Sequence, residues 1–132
     1  MQVVNPIDIE DALRVDLAQQ AGGFRFFAPP MPPNLGDGDV IIAALGGGRV
    51  SAVSNSYDVT IGCYAEDDAT AMANANTVAG IVSSLPLRDT YTQYSNANVT
   101  NGPYRDYDPR APQLSRYSFR ATVICPGLRL QF

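Results

Sequence analysis

This sequence predicts an α+β fold: a single domain with a mixed, mostly antiparallel sheet and two helices packed on one face. Three observations carry that expectation. Residues 57–65 alternate, with Val59, Ile61, Cys63 and Ala65 on one side of a strand and Asp58, Thr60, Gly62 and Tyr64 on the other. Beyond Glu66-Asp67-Asp68, which offers a capping carboxylate, Ala71, Ala75, Val78, Val82 and Leu85 recur at helical spacing until Pro86. Finally, strands follow one another in runs with only two helical patterns among them, which favours a sheet covered on one side over alternating strand–helix units.

The first element is a helix over residues 6–20. Asn5 is placed as its N-cap and Pro6 at its first position, with Asp8, Glu10 and Asp11 complementing the helix dipole. Ile9, Leu13 and Leu17, with Ala12, form the buried stripe, and Gly22-Gly23 stops it. Residues 24–28 read as a strand cut off by Pro29-Pro30-Met31-Pro32-Pro33, an extended run that cannot donate to a ladder and ends in a Gly-Asp-Gly turn.

Residues 39–45 are apolar after Asp39 and read as a central strand. The triple glycine 46–48 lacks the Gly-Lys-Ser/Thr ending of a phosphate loop and has strands rather than a helix around it, so it reads as a hairpin turn, followed by residues 49–53 and the strand at 57–65. After the second helix, residues 89–95 alternate as an exposed or edge strand. Residues 96–113 carry Asn101-Gly102-Pro103, Asp108-Pro109-Arg110 and Ala111-Pro112, and read as a long loop. Residues 116–125 close the fold as a strand with Tyr117, Phe119, Ala121, Val123 and Cys125 inward, leaving 128–132 as a short tail. The domain thus has long loops at 29–39 and 96–113. Its predicted core joins Val59, Ile61, Cys63, Val78, Val82, Phe119, Ala121 and Val123.

Composition narrows the chemistry. At 132 residues, 45% apolar and 17% charged, the chain is an ordinary folded domain, and its net charge of −4 argues against general nucleic-acid affinity. Histidine is absent, and all nine cations are arginines, so the commonest general base, metal ligand and Schiff-base nucleophile are missing. Cys63 and Cys125 supply neither a redox pair motif nor a four-ligand zinc site; both fall in apolar strand patterns as buried thiols, and whether they bond is left open. Residues 1–6 have no basic region or long apolar segment, and no run approaches transmembrane length, which predicts no signal peptide, no membrane association and a reducing cytoplasm. The carboxylate pairs Asp67/Asp68 and Asp106/Asp108 are explained by capping and by turn chemistry rather than catalysis, so neither an enzyme nor a cofactor is expected.

The order of elements resembles the tail-terminator and tail-completion (head–tail joining) proteins of long-tailed bacteriophages. Three stretches carry the resemblance: the capped first helix 6–20, the strand-and-helix unit 57–85, and the closing strand after Asp106-Tyr107-Asp108-Pro109-Arg110. It implies a structural virion protein, assembled in the host cytoplasm, that caps the tail tube as a hexameric ring and joins it to the head connector. Its partners would be further copies of itself, the tail tube protein and the connector or neck proteins, with DNA passing through the lumen. On that reading Arg105, Tyr107 and Arg110 belong to the subunit interface, and Asp37, Asp39, Asp106 and Asp108 face the channel. The alternatives are another neck, head-completion or tail-tube-like protein, or a cellular protein-binding module using Tyr104, Tyr107 and Arg110.

Overall fold

The computed structural model describes residues 2–87 and 92–131. Its elements are β1 (Gln2–Asn5), α1 (Ile9–Gln20), β2 (Arg25–Phe27), β3 (Asp39–Arg49), β4 (Ser54–Ala65), α2 (Asp68–Ser84), a 3-10 turn (Leu85–Leu87), β5 (Asn96–Arg105), β6 (Ser115–Pro126) and β7 (Leu128–Gln131). Strands β2-β3-β4-β6-β5 form the main sheet in that spatial order, and β1 pairs with β7 in a separate ribbon. Only β2 with β3 is parallel among the described pairs; the rest are antiparallel. Both helices pack on one face of the sheet, so the α+β expectation holds.

Pairing explains why one face is apolar. Val59, Ile61 and Cys63 of β4 stand opposite Ala121, Phe119 and Tyr117 of β6, so inward residues of one strand meet inward residues of the next. Ile9, Leu13 and Leu17 of α1 and Ala75, Val78 and Val82 of α2 close over them. All eight expected core residues are buried in this one cluster. Truncating Val82 to Ala should cost about 1–3 kcal/mol, because the methyl groups lost are fully buried and leave a small cavity. Urea unfolding of the variant checks this.

The Asp67 side chain accepts a bond from the Thr70 N–H at 2.7 Å and caps α2 as its acidic run suggests. α1 begins later than expected. Asn5 is the last residue of β1, and Asp8 is the cap, accepting from the Asp11 N–H. Between them Pro6 and Ile7 belong to neither element, and the Ile7 N–H donates to the Tyr57 hydroxyl at 2.9 Å. Asn5 and Asp8 are both competent caps; strand pairing with Leu128 takes the first out of contention.

Three further expectations are corrected. The triple glycine is not the hairpin turn but the paired end of β3, opposite Asp58, Tyr57 and Ser56 after an irregularity at Leu45. A Cβ at Gly47 would run into the Ser56 carbonyl oxygen, so glycine lets the ladder resume past the bulge. The turn is at 50–53, where the Ser54 carbonyl accepts from Val50 and Ser51. The stretch 96–113 is not one long loop: β5 occupies 96–105, and the loop shrinks to 106–114. Asn101-Gly102-Pro103 interrupts the β5–β6 register instead of ending the strand, with Gly102 at φ +94°, a break that an edge strand tolerates. The supposed tail at 128–132 is β7 through Gln131. The strand expected at 89–95 falls partly on residues outside those described, and residues 92–95 are not strand.

Candidate interaction surface

The face of the sheet away from the helices is polar, and at one end it carries a compact network. Tyr64 of β4 and Arg116 of β6 are direct cross-strand partners, and the Arg116 guanidinium lies over the Tyr64 ring at 5.6 Å. The Tyr64 hydroxyl donates to Asp108 Oδ2 at 2.6 Å and accepts from Arg116 Nη1 at 3.0 Å. Arg116 also pairs with Asp106 Oδ2 at 2.9 Å and reaches Asp108 at 3.4 Å. Its Nε donates to the Asp106 carbonyl, and Ser118 Oγ donates to the Asp106 carboxylate. Asp108 completes its shell with the Arg110 N–H and Nε.

The electrostatics follow from this shell. Burial by itself would raise the Asp108 carboxyl, but bonds from Tyr64 and Arg110 and the charge of Arg116 outweigh it and hold the group below the usual carboxylate range. Tyr64 is pushed up to about 12, first by burial and then by its bond to Asp108. It remains a neutral donor at physiological pH. The network therefore fixes residues 106–110 to the sheet without offering a base or nucleophile. The buried thiols are equally inert: burial pushes Cys63 up to about 12 and Cys125 up to about 11, and both are free.

The proline loop is tied down beside this network. Asp39, fully buried, takes a two-pronged salt bridge from Arg25 at 2.7 and 2.8 Å and accepts from the Gly36 N–H. Arg25 in turn lies over the Phe27 ring. The Gly38 N–H donates to the Tyr64 carbonyl, and Asp37 accepts from the Glu66 N–H. As a result the two loops read from the sequence meet. Met31, Pro33 and Leu35 on one side and Arg110, Ala111 and Gln113 on the other line a cleft of about 290 Å³. Tyr107, in the same loop as Arg110, is 67% exposed.

The structure redistributes the residues singled out from the sequence. Asp39 and Asp108 are buried and paired within the chain, so they are not available to line a channel. Asp106 is half-buried against Arg116 and Ser118, and Asp37 stays exposed. The arginines expected to seek acids on a neighbour have partners at home: Arg105 pairs with Asp68 at the start of α2 at 3.0 Å, and Arg110 with Asp108 at 3.1 Å. Both of these arginines keep largely exposed side chains. Four organising residues were missed: Arg25, Tyr64, Arg116 and Ser118. The alternation of β4 and β6 placed Tyr64, Arg116 and Ser118 on the outward face, but only the register brings Tyr64 opposite Arg116.

No protein-family model matches this chain, and a search of curated proteins finds no match to it.

Proposed function

We propose that this chain is a structural virion protein that caps a phage tail tube as a hexameric ring and joins it to the head connector. The observation that carries the reading is the joint rim formed by the proline loop and residues 106–114. The proline loop is held by buried Asp39, which pairs with Arg25 and accepts from the Gly36 N–H, and residues 106–114 by the bonds of Asp106 and Asp108 to Tyr64 and Arg116, yet the two loops present Tyr107, Arg110 and prolines outward. Anchored loops rich in aromatic, arginine and proline side chains suit a protein contact, since little ordering entropy is lost on docking. The order of elements, with two helices on one face of the sheet, supports the same reading.

The reading assigns Tyr107 and Arg110 to the contact and withdraws Asp39 and Asp108 from the lumen, leaving Asp37 and the partly exposed Asp106 as its candidate acids. Light scattering on the purified chain across a concentration series, with electron microscopy, tests it. A six-membered ring is expected, and Tyr107→Asp should shift it toward monomer with the melting temperature unchanged. A strict monomer at every concentration would overturn the proposal.

A further inference from the structure

Among the described residues Tyr107 is the only aromatic left largely exposed, and its backbone is held firmly in that position. On one side of it the Asp106 N–H donates to the Arg116 carbonyl at 2.9 Å. On the other, Asp108 is buried against Tyr64 and Arg116. The Tyr107 carbonyl itself accepts from Arg116 Nη2. The chain is therefore fixed around a phenol side chain that stays in water. Docking it would cost little beyond its own two torsions, which is how the anchor of a protein contact is prepared.

The cleft between the proline loop and residues 110–113 has the chemistry to receive such a side chain. Its volume of about 290 Å³ falls at the bottom of the range for small-molecule pockets, about 300–1,000 Å³. That suits one inserted side chain better than a ligand or a length of chain. Met31, Pro33 and Leu35 give it apolar walls. Arg110 spends its Nε on Asp108 yet keeps a largely exposed side chain, so its guanidinium is open to stack on an aromatic face. Asn34 and Gln113 offer amides to a phenol hydroxyl. Tyr107 is not among the residues that line the cleft, so it does not fill its own. Charge favours the same match. With a net charge of −4, two copies of this chain repel in general. Here the signs are opposed: the cleft carries Arg110, and Tyr107 arrives with Asp106. The Asp106 bonds to Arg116 and Ser118 both fall on Oδ2, and its side chain remains 34% exposed.

We infer that this cleft receives Tyr107 of a second copy of the chain, with Arg110 against the incoming phenol and beside its Asp106. The inference rests on the ring reading above for its closed form, and it names the joint between subunits that the reading leaves open.

Complementation between two variants tests it. Tyr107→Ala removes the inserted side chain, and Asn34→Trp fills the cleft; both positions are exposed, so each variant should keep its melting temperature. Alone, each should raise the concentration for half-assembly by about thirtyfold or more. Mixed, they retain one intact joint, Tyr107 of the Asn34→Trp chain in the open cleft of the Tyr107→Ala chain. Sedimentation should then show one-to-one pairs and nothing larger, while Tyr107→Phe assembles like the wild type. If the wild type forms rings but the mixture gives no pairs at about a hundredfold its midpoint, the inference is overturned and the ring reading stands; that margin allows for the avidity a single joint lacks. Assembly that survives either single variant unchanged, or is lost as fully with Tyr107→Phe as with Tyr107→Ala, would have the same consequence. Closed wild-type dimers whose variants still pair on mixing would uphold the joint and overturn the ring. A wild type that stays monomeric at every concentration would overturn both.

Discussion

Replacing Arg116 with methionine should destabilise the protein by about 3 kcal/mol at neutral pH. Its side chain is mostly buried and bonds Tyr64, two aspartates and the Asp106 and Tyr107 carbonyls. Removing one member of a buried ion pair costs about 3–5 kcal/mol, because the carboxylate left behind keeps its desolvation penalty. The lower end applies here, since Asp108 keeps Tyr64 and Arg110 as donors. The sign of the pH dependence follows from Asp108. Its folded-state pKa lies below the ordinary 3.8, so it stabilises the fold above that value and the contribution is lost as pH falls through the folded pKa. Without Arg116 the same carboxyl titrates higher in the folded state. The deficit of the variant should therefore shrink as the pH is lowered below about 4. Urea melts of both proteins at pH 7 and pH 3.5 check this; a gap that stays constant would mean that Arg116 acts through packing alone.

Phe119→Ala should cost more, about 3–5 kcal/mol, because its ring is fully buried in the middle of the core. Phe119 stands opposite Ile61 in the ladder and lies under the helix layer, where partial collapse cannot refill an aromatic volume. Against a total stability of about 5–15 kcal/mol, the loss is enough to leave the variant marginal. The urea midpoint should fall sharply with an unchanged slope; a lower slope would mean that the folded core itself has loosened.

How much of this was legible in the sequence depended on whether the signal was periodic. The alternation of 57–65 and 116–125 and the helical stripe of α2 were read with the correct inward faces, because the inward set follows from the period alone. Tyr64 and Ser118, on the outward face, are buried only through the contacts that the register and the 106–110 loop supply. The misreadings share a cause: local turn chemistry that pairing overrode. Asn101-Gly102-Pro103 and Gly46-Gly47-Gly48 look like breaks, yet both sit in strands, because a neighbouring strand holds the backbone on either side. Asn5 looks like a cap until β7 claims it. The contact surface was half legible. Tyr107 and Arg110 are exposed as expected, whereas Asp39 and Asp108 read as free loop acids only because their partners, Arg25 and Tyr64, are distant in sequence or hidden by register.

The ribbon of β1 and β7 brings residue 2 beside residue 131, closing nearly the whole chain into one loop. The β3–β4 hairpin, by comparison, closes across only residues 50–53. Each doubling of loop length adds about 0.6 kcal/mol of closure entropy, so the ribbon pays about 3 kcal/mol more than the hairpin if it forms first. That handicap disappears once the main sheet has folded, because β6 then delivers β7 to the spot through Gly127, where a Cβ would run into the Asn5 carbonyl. The ribbon is therefore the last piece to form and the first to open. Amide hydrogen exchange should accordingly be faster in the ribbon than in the five-stranded sheet, and the bond from Arg49 to the Val4 carbonyl should be lost with the ribbon.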